Sequence, residues 1–564
     1  MFRPLRWLLG KLAIRKARRV RAEFAALADR PREAQHARLF AQLQREKDTA
    51  FGRDHGFRDL KTLEDFRRRM PIARYEYYTP YVRRVMAGET EAMFHRQRIR
   101  MFAMTSGTTD SRKYVPVTDR FLADYRRGWL IWGVHMYEEH PELWFKPMLQ
   151  LVSDWQEEFT KAGIPCGSIS GLTTQMQMRV VRKTYVLPPE SGRIKDVRAK
   201  YYLAWRLGLV RDLGVMLSAN PSTFVSLAKF GGDRAADLVR DIRDGTIHPD
   251  FSVPDAVRAA ERHRLLPNPE RAKELDAILS RTGTLRPMDV WPNLGLIGNW
   301  TGGSVGGYLR HYPDYYGDKP KIRDLGLVAS EGRMTIPIAS GTPGGILDIG
   351  SAFFEFVPVA EIDSPHPVAL ESHELEVGKD YYILLTTSSG FYRYNIFDVV
   401  RVLGWHSNTP ILAFLNKGSY ISNLTGEKLS EFQAVQAVEA ACTATGRRLT
   451  SFSMAPVWDE EVPYYGLFVE SGDFPDENAR REFIALVERK LQEGNDEYDT
   501  KRSSHRLQPA RLMTLASGFW QQWDRARLVK AGGTAEQYKH PCLIPDLEFA
   551  KSVSVQTAIR AAAG

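Results

Sequence analysis

The sequence predicts an α/β fold in which a large N-terminal domain of β-sheets flanked by helices precedes a small C-terminal α+β domain. Short apolar runs at residues 147–153, 213–219 and 381–387 are typical of buried strands. They alternate with helical patterns at residues 120–137 and 234–243. At 564 residues, of which 43% are hydrophobic, the chain is long enough for more than one core.

The boundary between the two domains is expected after residue 415. A turn-forming stretch at residues 408–410 precedes it, and a new helical pattern starts at Leu429. We expect domains of residues 1–415 and 416–564, with a hinge at Asn416 and Lys417. The small domain should contain strands near residues 451–457 and 464–470 and helices near residues 480–493 and 520–531.

The cysteines indicate neither a disulfide framework nor a zinc site. The chain has three, Cys166, Cys442 and Cys542, which lie far apart and lack the spacing of metal ligands. No segment has the uncharged apolar core of a signal peptide or the length of a transmembrane helix. A reducing cytoplasm is therefore the expected location.

The net charge of +10 is concentrated at the start of the chain. Basic residues alternate there with apolar ones in an amphipathic helical pattern, and the first acidic residue is Glu23. The basic residues are Arg3, Arg6, Lys11, Arg15, Lys16, Arg18, Arg19 and Arg21. Such a segment can bind nucleic acid or an anionic membrane surface, or it can form a first helix that packs on the large domain. We expect this segment to be a helix that packs on the large domain, and we expect no nucleic-acid partner. A weak contact with a membrane surface is the remaining alternative.

The loop from Thr105 to Lys113 has the composition of a phosphate-binding site. Hydroxyl and backbone N–H groups donate to anionic oxygens, Gly107 permits close approach, and Lys113 supplies a mobile positive charge. The hydroxyl-bearing candidates are Thr105, Ser106, Thr108 and Thr109. The loop is not a Walker motif, because Arg112 rather than glycine precedes the lysine. A plain polar turn between a strand at residues 100–104 and a helix near residue 118 is the alternative.

Two further segments point to the same chemistry. The first is an apolar run that ends in Ser330, Glu331 and Gly332. The second, residues 386–402, places Tyr392 and Asp398 between two apolar strands. A surface ion pair for Glu331 and a turn cap for Asp398 are the structural alternatives.

In this order and at these separations, the three segments resemble the phosphate, adenine and ribose motifs of the adenylate-forming superfamily. Within it, the chain resembles a bacterial-type member of the Gretchen-Hagen-three family of auxin-responsive acyl acid amido synthetases. The matching segments are residues 105–109, 329–332, 353–358, 391–400, 426–431 and 537–541. Together they extend over most of the chain.

The resemblance implies an ATP-dependent ligase that adenylates a carboxylic acid and passes the acyl group to an amine, expected to be an amino acid. It implies Lys113, Glu331 and Lys539 as catalytic residues, with Glu331 holding Mg²⁺ and Lys539 carried by a mobile lid. Lys428 is the alternative lysine. The implied nucleotide contacts are Thr105, Ser106, Gly107, Thr108, Thr109, Ser330, Tyr392, Asp398 and Phe414.

The acyl acid is expected to lie against aromatic side chains. The implied pocket residues are Trp129, Trp132, Trp300, Thr301 and Gly302, for which core packing is the alternative. The sequence does not identify the acid or the amine.

Three residues depart from the family pattern. Asp110 and Phe397 stand where glycine is usual, the latter in plant members, and Asn395 replaces a usually basic residue of plant members. The substrates of plant members therefore cannot be transferred to this chain. An acyl-CoA ligase with a thiol acceptor and a nucleotide-binding module without turnover are the rival functions.

Overall fold

The computed structural model describes most of the chain. The described residues are 3–105, 112–177, 179–362, 364–418, 421–422, 424–425, 427, 429–458, 460, 462–503, 506–531 and 538–561.

The strands are β1 Ile99–Thr105, β2 Lys113–Thr118, β3 Met148–Gln150, β4 Glu158–Phe159, β5 Pro165–Gly167, β6 Val215–Leu217, β7 Leu296–Asn299, β8 Lys321–Asp324, β9 Val328–Ala329, β10 Gly332–Arg333, β11 Thr335–Ile336, β12 Gly345–Leu347, β13 Phe353–Pro358, β14 Asp380–Thr386, β15 Tyr394–His406, β16 Thr409–Lys417, β17 Ile421–Ser422, β18 Leu429–Ser430, β19 Phe452–Val457, β20 Tyr464–Glu470, β21 Arg511–Leu515 and β22 Thr557–Arg560.

The helices are α1 Arg3–Ala28, α2 Pro31–Glu46, α3 Ala50–Asp54, α4 Leu63–Arg69, α5 Tyr75–Met86, α6 Asp119–Glu139, α7 Ile169–Gln175, α8 Arg179–Arg182, α9 Val197–Gly208, α10 Pro221–Asp233, α11 Ala235–Asp244, α12 Asp255–Glu261, α13 Pro269–Thr282, α14 Pro287–Val290, α15 Tyr312–Tyr316, α16 Glu431–Thr445, α17 Glu477–Gly494, α18 Asp496–Ser503, α19 Phe519–Ala531 and α20 Phe549–Ser552.

Over the described residues, the large domain contains three sheets of four or six strands and a two-stranded sheet of β9 and β10. A mixed sheet has the order β2-β1-β5-β4, a parallel sheet β3-β6-β7-β8, and an antiparallel sheet β11-β12-β16-β15-β14-β13. The predicted alternation of strands and helices is confirmed, with strands β3, β6 and β14 inside or within a residue of the apolar runs. Helix α6 begins after Thr118 because the Thr118 hydroxyl accepts the N–H of Phe121 at 3.0 Å and caps the first turn.

The C-terminal residues form a separate α+β unit, as predicted. Its sheet has the order β19-β20-β21-β22, and its apolar core includes the buried side chains of Val438 from α16, Phe483 from α17 and Leu467 from β20. The 3-10 helix Gly303–His311 of the large domain contacts this unit, since Arg310 donates to the Leu449 carbonyl at 2.9 Å. Asn416 and Lys417, the expected hinge, are the last residues of β16 in the large antiparallel sheet.

Helix α1 packs on α6 through the part whose side chains are described. Ala17, Phe24 and Ala28 are buried, and Arg18 and Arg21 both pair with Glu138 of α6, the former at 2.8 Å. The expectation that this helix packs on the large domain is confirmed for these residues. Over the described ranges, no helix combines the length and apolarity needed to cross a bilayer.

Candidate active site

A cavity of about 3250 Å³ lies where the sheets of the large domain meet the C-terminal unit. The predicted site residues that line it are Lys113, Trp129, Trp132, Trp300, Gly302, Ser330, Glu331, Asp398, Phe414 and Lys539. They are widely separated in sequence, so the fold has brought them together. Four predicted loop residues, Ser106, Gly107, Thr108 and Thr109, and the departing residue Asp110, lie outside the described residues.

The predicted phosphate loop joins two antiparallel strands. Thr105 ends β1 and pairs in register with Lys113, the first residue of β2. The Lys113 ammonium lies 5.7 Å from the centre of the Tyr75 ring. Tyr75 is fixed in turn by the Tyr114 backbone, accepting its N–H at 2.8 Å and donating to its carbonyl at 2.9 Å. The half-buried Lys113 and the ring of Tyr75 therefore lie together in the lining of the cavity.

Glu331 lies with Ser330 in the two-residue turn between β9 and β10. Burial raises the pKa of the Glu331 carboxyl, and the positive charges of Lys417 and Lys113 oppose that shift. The described residues contain no group of three or more His, Cys, Asp or Glu that would hold a metal alone. One buried carboxylate in a cavity that Lys113 also lines fits Mg²⁺, which is bound through one or two carboxylates together with phosphate oxygens.

Asp398 forms an ion pair with Lys417 that sequence reasoning missed. The two residues face each other on β15 and β16, and the Lys417 ammonium also donates to the Ile396 carbonyl at 3.1 Å. From the sequence alone, Lys417 is expected only as part of a hinge. The register of β15 and β16 places the Lys417 ammonium beside Asp398 in the cavity, and no local sequence motif encodes that register.

Lys539 reaches the same cavity from the C-terminal unit. Its ammonium lies 4.2 Å from the centre of the Trp300 ring and 4.9 Å from that of Phe414, within the range of cation–π attraction. The flanking residues anchor the segment. The Tyr538 carbonyl accepts from the Asn220 side chain at 2.5 Å, and His540 pairs with Asp524 at 2.8 Å.

Burial lowers the pKa of Lys539 to about 8. The charge of Lys417 contributes to this lowering, and the carboxylates of Asp398, Glu431 and Asp324 oppose it. Glu431 begins α16, and burial raises its pKa to about 7. Lys539 therefore keeps its proton near neutral pH and loses it as the pH rises through about 8. The alternative lysine, Lys428, lies outside the described residues.

The three predicted tryptophan side chains, Trp129, Trp132 and Trp300, line the cavity. The Trp132 indole donates to the Asp324 carbonyl at 2.8 Å, and the Trp300 indole donates to the Gly326 carbonyl at 3.0 Å. The buried Asp324 carboxylate accepts both the N–H and the hydroxyl of Thr301, at 2.7 and 2.6 Å. Thr301 is thus turned toward Asp324 and is not among the described residues that line the cavity, contrary to expectation.

Tyr392 differs from its prediction as a nucleotide contact. Its ring is 1% exposed, stacks on Phe51 at 5.4 Å between centres and meets Phe57 at 4.9 Å, inside the core. In a regular strand, Tyr392 and Tyr394 would point to the same face. Arg393, which lies between them, has φ +50°, so the two tyrosine side chains point to different sides. Tyr394, rather than Tyr392, is among the described residues that line the cavity.

Two of the departing residues, Asn395 and Phe397, form one structural unit. Phe397 has φ +63°, a left-handed conformation that favours glycine. The Asn395 side-chain oxygen accepts the N–H of Phe397 at 2.8 Å and stabilises this conformation. Sequence reasoning noted both residues but could not connect them.

We expect Asn395→Ala to lower the free energy of unfolding by about 1 to 2 kcal/mol, because it removes a bond that supports a left-handed aromatic residue. In a Phe397→Gly background the same change should cost roughly half as much, since glycine needs no such support. Chemical denaturation of the four proteins measures the coupling. An equal cost in both backgrounds would show that the two residues are independent.

Comparison with known proteins identifies the family. The GH3 family N-terminal, central and C-terminal domain models match residues 20–321, 345–417 and 432–548. The jasmonoyl–L-amino acid synthetase JAR4 of Nicotiana attenuata is 24% identical over 93% of each chain. The indole-3-acetic acid-amido synthetase GH3.3 of Arabidopsis thaliana is 22% identical over 91% of this chain and 90% of its own. A solved GH3.15 acyl acid amido synthetase superposes with a TM-score of 0.83 at 20% identity, over 96% of this chain and 97% of that chain.

The expected class, an amide-forming acyl acid ligase, is confirmed by these relatives. The chain belongs to the GH3 family. The narrower expectation of a bacterial-type member is not borne out, since these relatives are plant proteins.

Proposed function

We propose that this protein uses ATP to adenylate a hydrophobic carboxylic acid and then transfers the acyl group to the amine of an amino acid. One observation carries the proposal. Lys539, from the C-terminal unit, shares a cavity with Lys113, Glu331 and Asp398 from the large domain. Cations around a bound triphosphate stabilise charge that develops as pyrophosphate leaves.

In the first step, an oxygen of the acid attacks the α-phosphorus of ATP and the bond to pyrophosphate breaks. Lys113 and the hydroxyls of residues 105–109 would hold the leaving phosphates. Lys539 would neutralise charge at the α-phosphate from the other side. Glu331 would hold Mg²⁺, which when bound neutralises phosphate charge.

Asp398 would bind the ribose, with Lys417 orienting its carboxylate. A carboxylate has enough acceptor positions for one ammonium and two hydroxyls, so the ion pair leaves Asp398 able to bind sugar. Ser330 and Phe414, which also line the cavity, would complete the nucleotide site.

The acid would lie against Trp129, Trp132, Trp300 and Gly302. The indole N–H groups of Trp132 and Trp300 are used by backbone carbonyls, so these rings offer apolar surface to the cavity. This supports an aromatic or aliphatic acid with one carboxylate.

The experiment that tests the proposal is carboxylate-dependent exchange of labelled pyrophosphate into ATP. Exchange that requires added acid supports adenylation. If no exchange occurs with a broad pool of aromatic and aliphatic acids, the protein is instead a nucleotide-binding module without turnover.

We expect Asp398→Ala to weaken ATP binding by about 10²-fold while leaving acid binding nearly unchanged, because charge-assisted bonds are worth about 1.5 to 3 kcal/mol. Titration calorimetry with each substrate measures both affinities. Asp380→Ala, which removes another carboxylate paired with a cation of the same sheet, is the control. Unchanged ATP affinity in folded Asp398→Ala would remove the ribose role.

We also propose a cytoplasmic protein that makes weak contact with anionic membrane through α1. Arg15 and Arg19 support this, because both are exposed on the face opposite the packed stripe. The protein should float with anionic vesicles at low salt, and Arg15→Gln with Arg19→Gln should abolish flotation. Equal flotation with neutral vesicles would contradict an electrostatic contact.

A further inference from the structure

Two charged side chains at the start of α5 line the active-site cavity without a role in adenylation. They are Arg74, which precedes the helix, and Glu76 in its first turn. Both are exposed, and neither makes an ion pair with a described residue. A cation and an anion that face one cavity are a matched pair for a ligand carrying both charges.

Apart from Arg74, Arg126 and Arg527 line the cavity without an ion pair to a described residue, whereas the five other arginines of its wall have carboxylate partners. These pairs are Arg67 and Arg393 with Glu355, Arg112 with Glu158, Arg127 with Asp348 and Arg401 with Asp380. Arg74 has instead an aromatic partner. Its guanidinium lies 4.7 Å from the centre of the Phe397 ring. Stacking fixes the plane of a guanidinium and leaves its N–H groups available for a carboxylate.

The backbone around Arg74 is held firmly. Ala73, the preceding residue, accepts the N–H of Asn395 at 2.9 Å and donates to the Arg393 carbonyl at 3.2 Å. Phe397 is kept in its left-handed conformation by Asn395 and by the Gly418 N–H, which donates to its carbonyl at 2.7 Å. Such conformations persist where the surroundings determine them, and they concentrate at functional sites.

The pair lies close to the reacting groups. Tyr75, between Arg74 and Glu76, is the residue whose ring faces the Lys113 ammonium at 5.7 Å. Burial raises the pKa of Tyr394, and the charges of Glu331 and Glu76 raise it further, so both carboxylates act on one side chain of the cavity. Phe397 is directly followed by Asp398, the proposed ribose ligand.

We propose that Arg74 and Glu76 bind the acceptor as an α-amino acid, with its carboxylate on the Arg74 guanidinium and its amino group at Glu76. Two parallel N–H···O bonds to arginine would fix the carboxylate, and Glu76 would hold the ammonium beside the acyl-adenylate. The assignment rests on the proposed function and adds the residues that bind the acceptor: amines that lack a carboxylate, and thiols, would not use the site.

In the transfer step, the acceptor nitrogen replaces the phosphate oxygen of the acyl-adenylate. The ammonium gives one proton to water and becomes a nucleophilic amine. Its nitrogen attacks the acyl carbon, the new C–N bond forms, and the C–O bond to the phosphate breaks. AMP leaves with the bonding electrons, and the second nitrogen-bound proton passes to water. Glu76, which is exposed at the cavity wall, would connect the nitrogen to solvent.

The test compares acceptors with and without a carboxylate. The wild-type protein and the variants Arg74→Ala and Glu76→Gln are supplied with acid, ATP and either a mixture of the common amino acids or a mixture of the corresponding decarboxylated amines. Arg83→Ala, another exposed arginine of α5, is the control. Pyrophosphate exchange without acceptor is measured in parallel, so that loss of adenylation is seen separately.

For Arg74→Ala we expect KM for amino acids to rise by about 10²-fold, with little change for the amines and the defect confined to the acceptor step. Phe397→Gly should raise the KM for amino acids by less than Arg74→Ala does, because it removes the ring that Arg74 stacks on but keeps the guanidinium. If Arg74→Ala does not fold, Phe397→Gly tests the same assignment. An equal loss with both acceptor mixtures, a higher KM for ATP or an unchanged KM for amino acids would overturn the assignment. Absence of exchange in the wild type would overturn the proposed function and the acceptor site with it.

Discussion

Lys113→Ala is expected to slow carboxylate-dependent pyrophosphate exchange by ~10² to 10³, the usual loss when one preorganised charge-stabilising group is removed. Lys113 begins β2 directly after the phosphate loop, and its charge acts on Glu331 across the cavity. The nucleotide phosphates should therefore meet this ammonium in the transition state.

Exchange kinetics at saturating ATP measure the effect, with circular dichroism as a check on folding. Lys551→Ala removes a lysine that pairs with Glu548 outside the cavity and should exchange at the wild-type rate. If Lys113→Ala also exchanges at that rate, Lys113 has no part in the chemistry.

Lys539→Ala is expected to slow adenylate formation by ~10² while amide formation from a supplied acyl-adenylate is nearly unchanged. Lys539 belongs to the C-terminal unit and lies between Trp300 and Phe414, where it would complete the proposed first-step site. Rotation of the C-terminal unit for the second step would withdraw it. Lys428→Ala is the comparison, and a first-step defect in that variant alone would transfer the role to Lys428.

The pH dependence of adenylation provides an independent test of the role of Lys539. Because burial lowers the pKa of Lys539 to about 8, its charge is present below that pH and lost above it. The facing groups are Asp398 on β15, Lys417 on β16, Glu431 on α16 and Asp324 on β8. Adenylation should therefore fall as pH rises through about 8, and Lys539→Arg, which keeps its charge, should move the fall to higher pH. An identical profile in Lys539→Arg would assign the transition to another group.

Much of the fold was accessible from sequence because its elements have strong local signals. The apolar runs of β14 and β20 and the amphipathic pattern of α6 are long enough to define strand and helix without tertiary information. The phosphate loop stays a prediction, which depends on the hydroxyls, glycine and lysine that occur together at residues 105–113.

What could not be predicted depends on register and backbone twist. The Asp398 and Lys417 pair exists because β15 and β16 align these positions across a hairpin. Tyr392 was misassigned because the positive φ of Arg393 turns its ring into the core, and composition gives no sign of that. Thr301 was misassigned because Asp324, which binds it, is distant in sequence.

The most direct test of the central claim is mass spectrometry of the products formed from ATP, pooled acids and pooled amino acids, with a parallel reaction that contains coenzyme A. The account predicts an acid–amino acid amide, AMP and pyrophosphate in equal amounts, and no thioester. A thioester in place of the amide, or ADP in place of AMP, would contradict it.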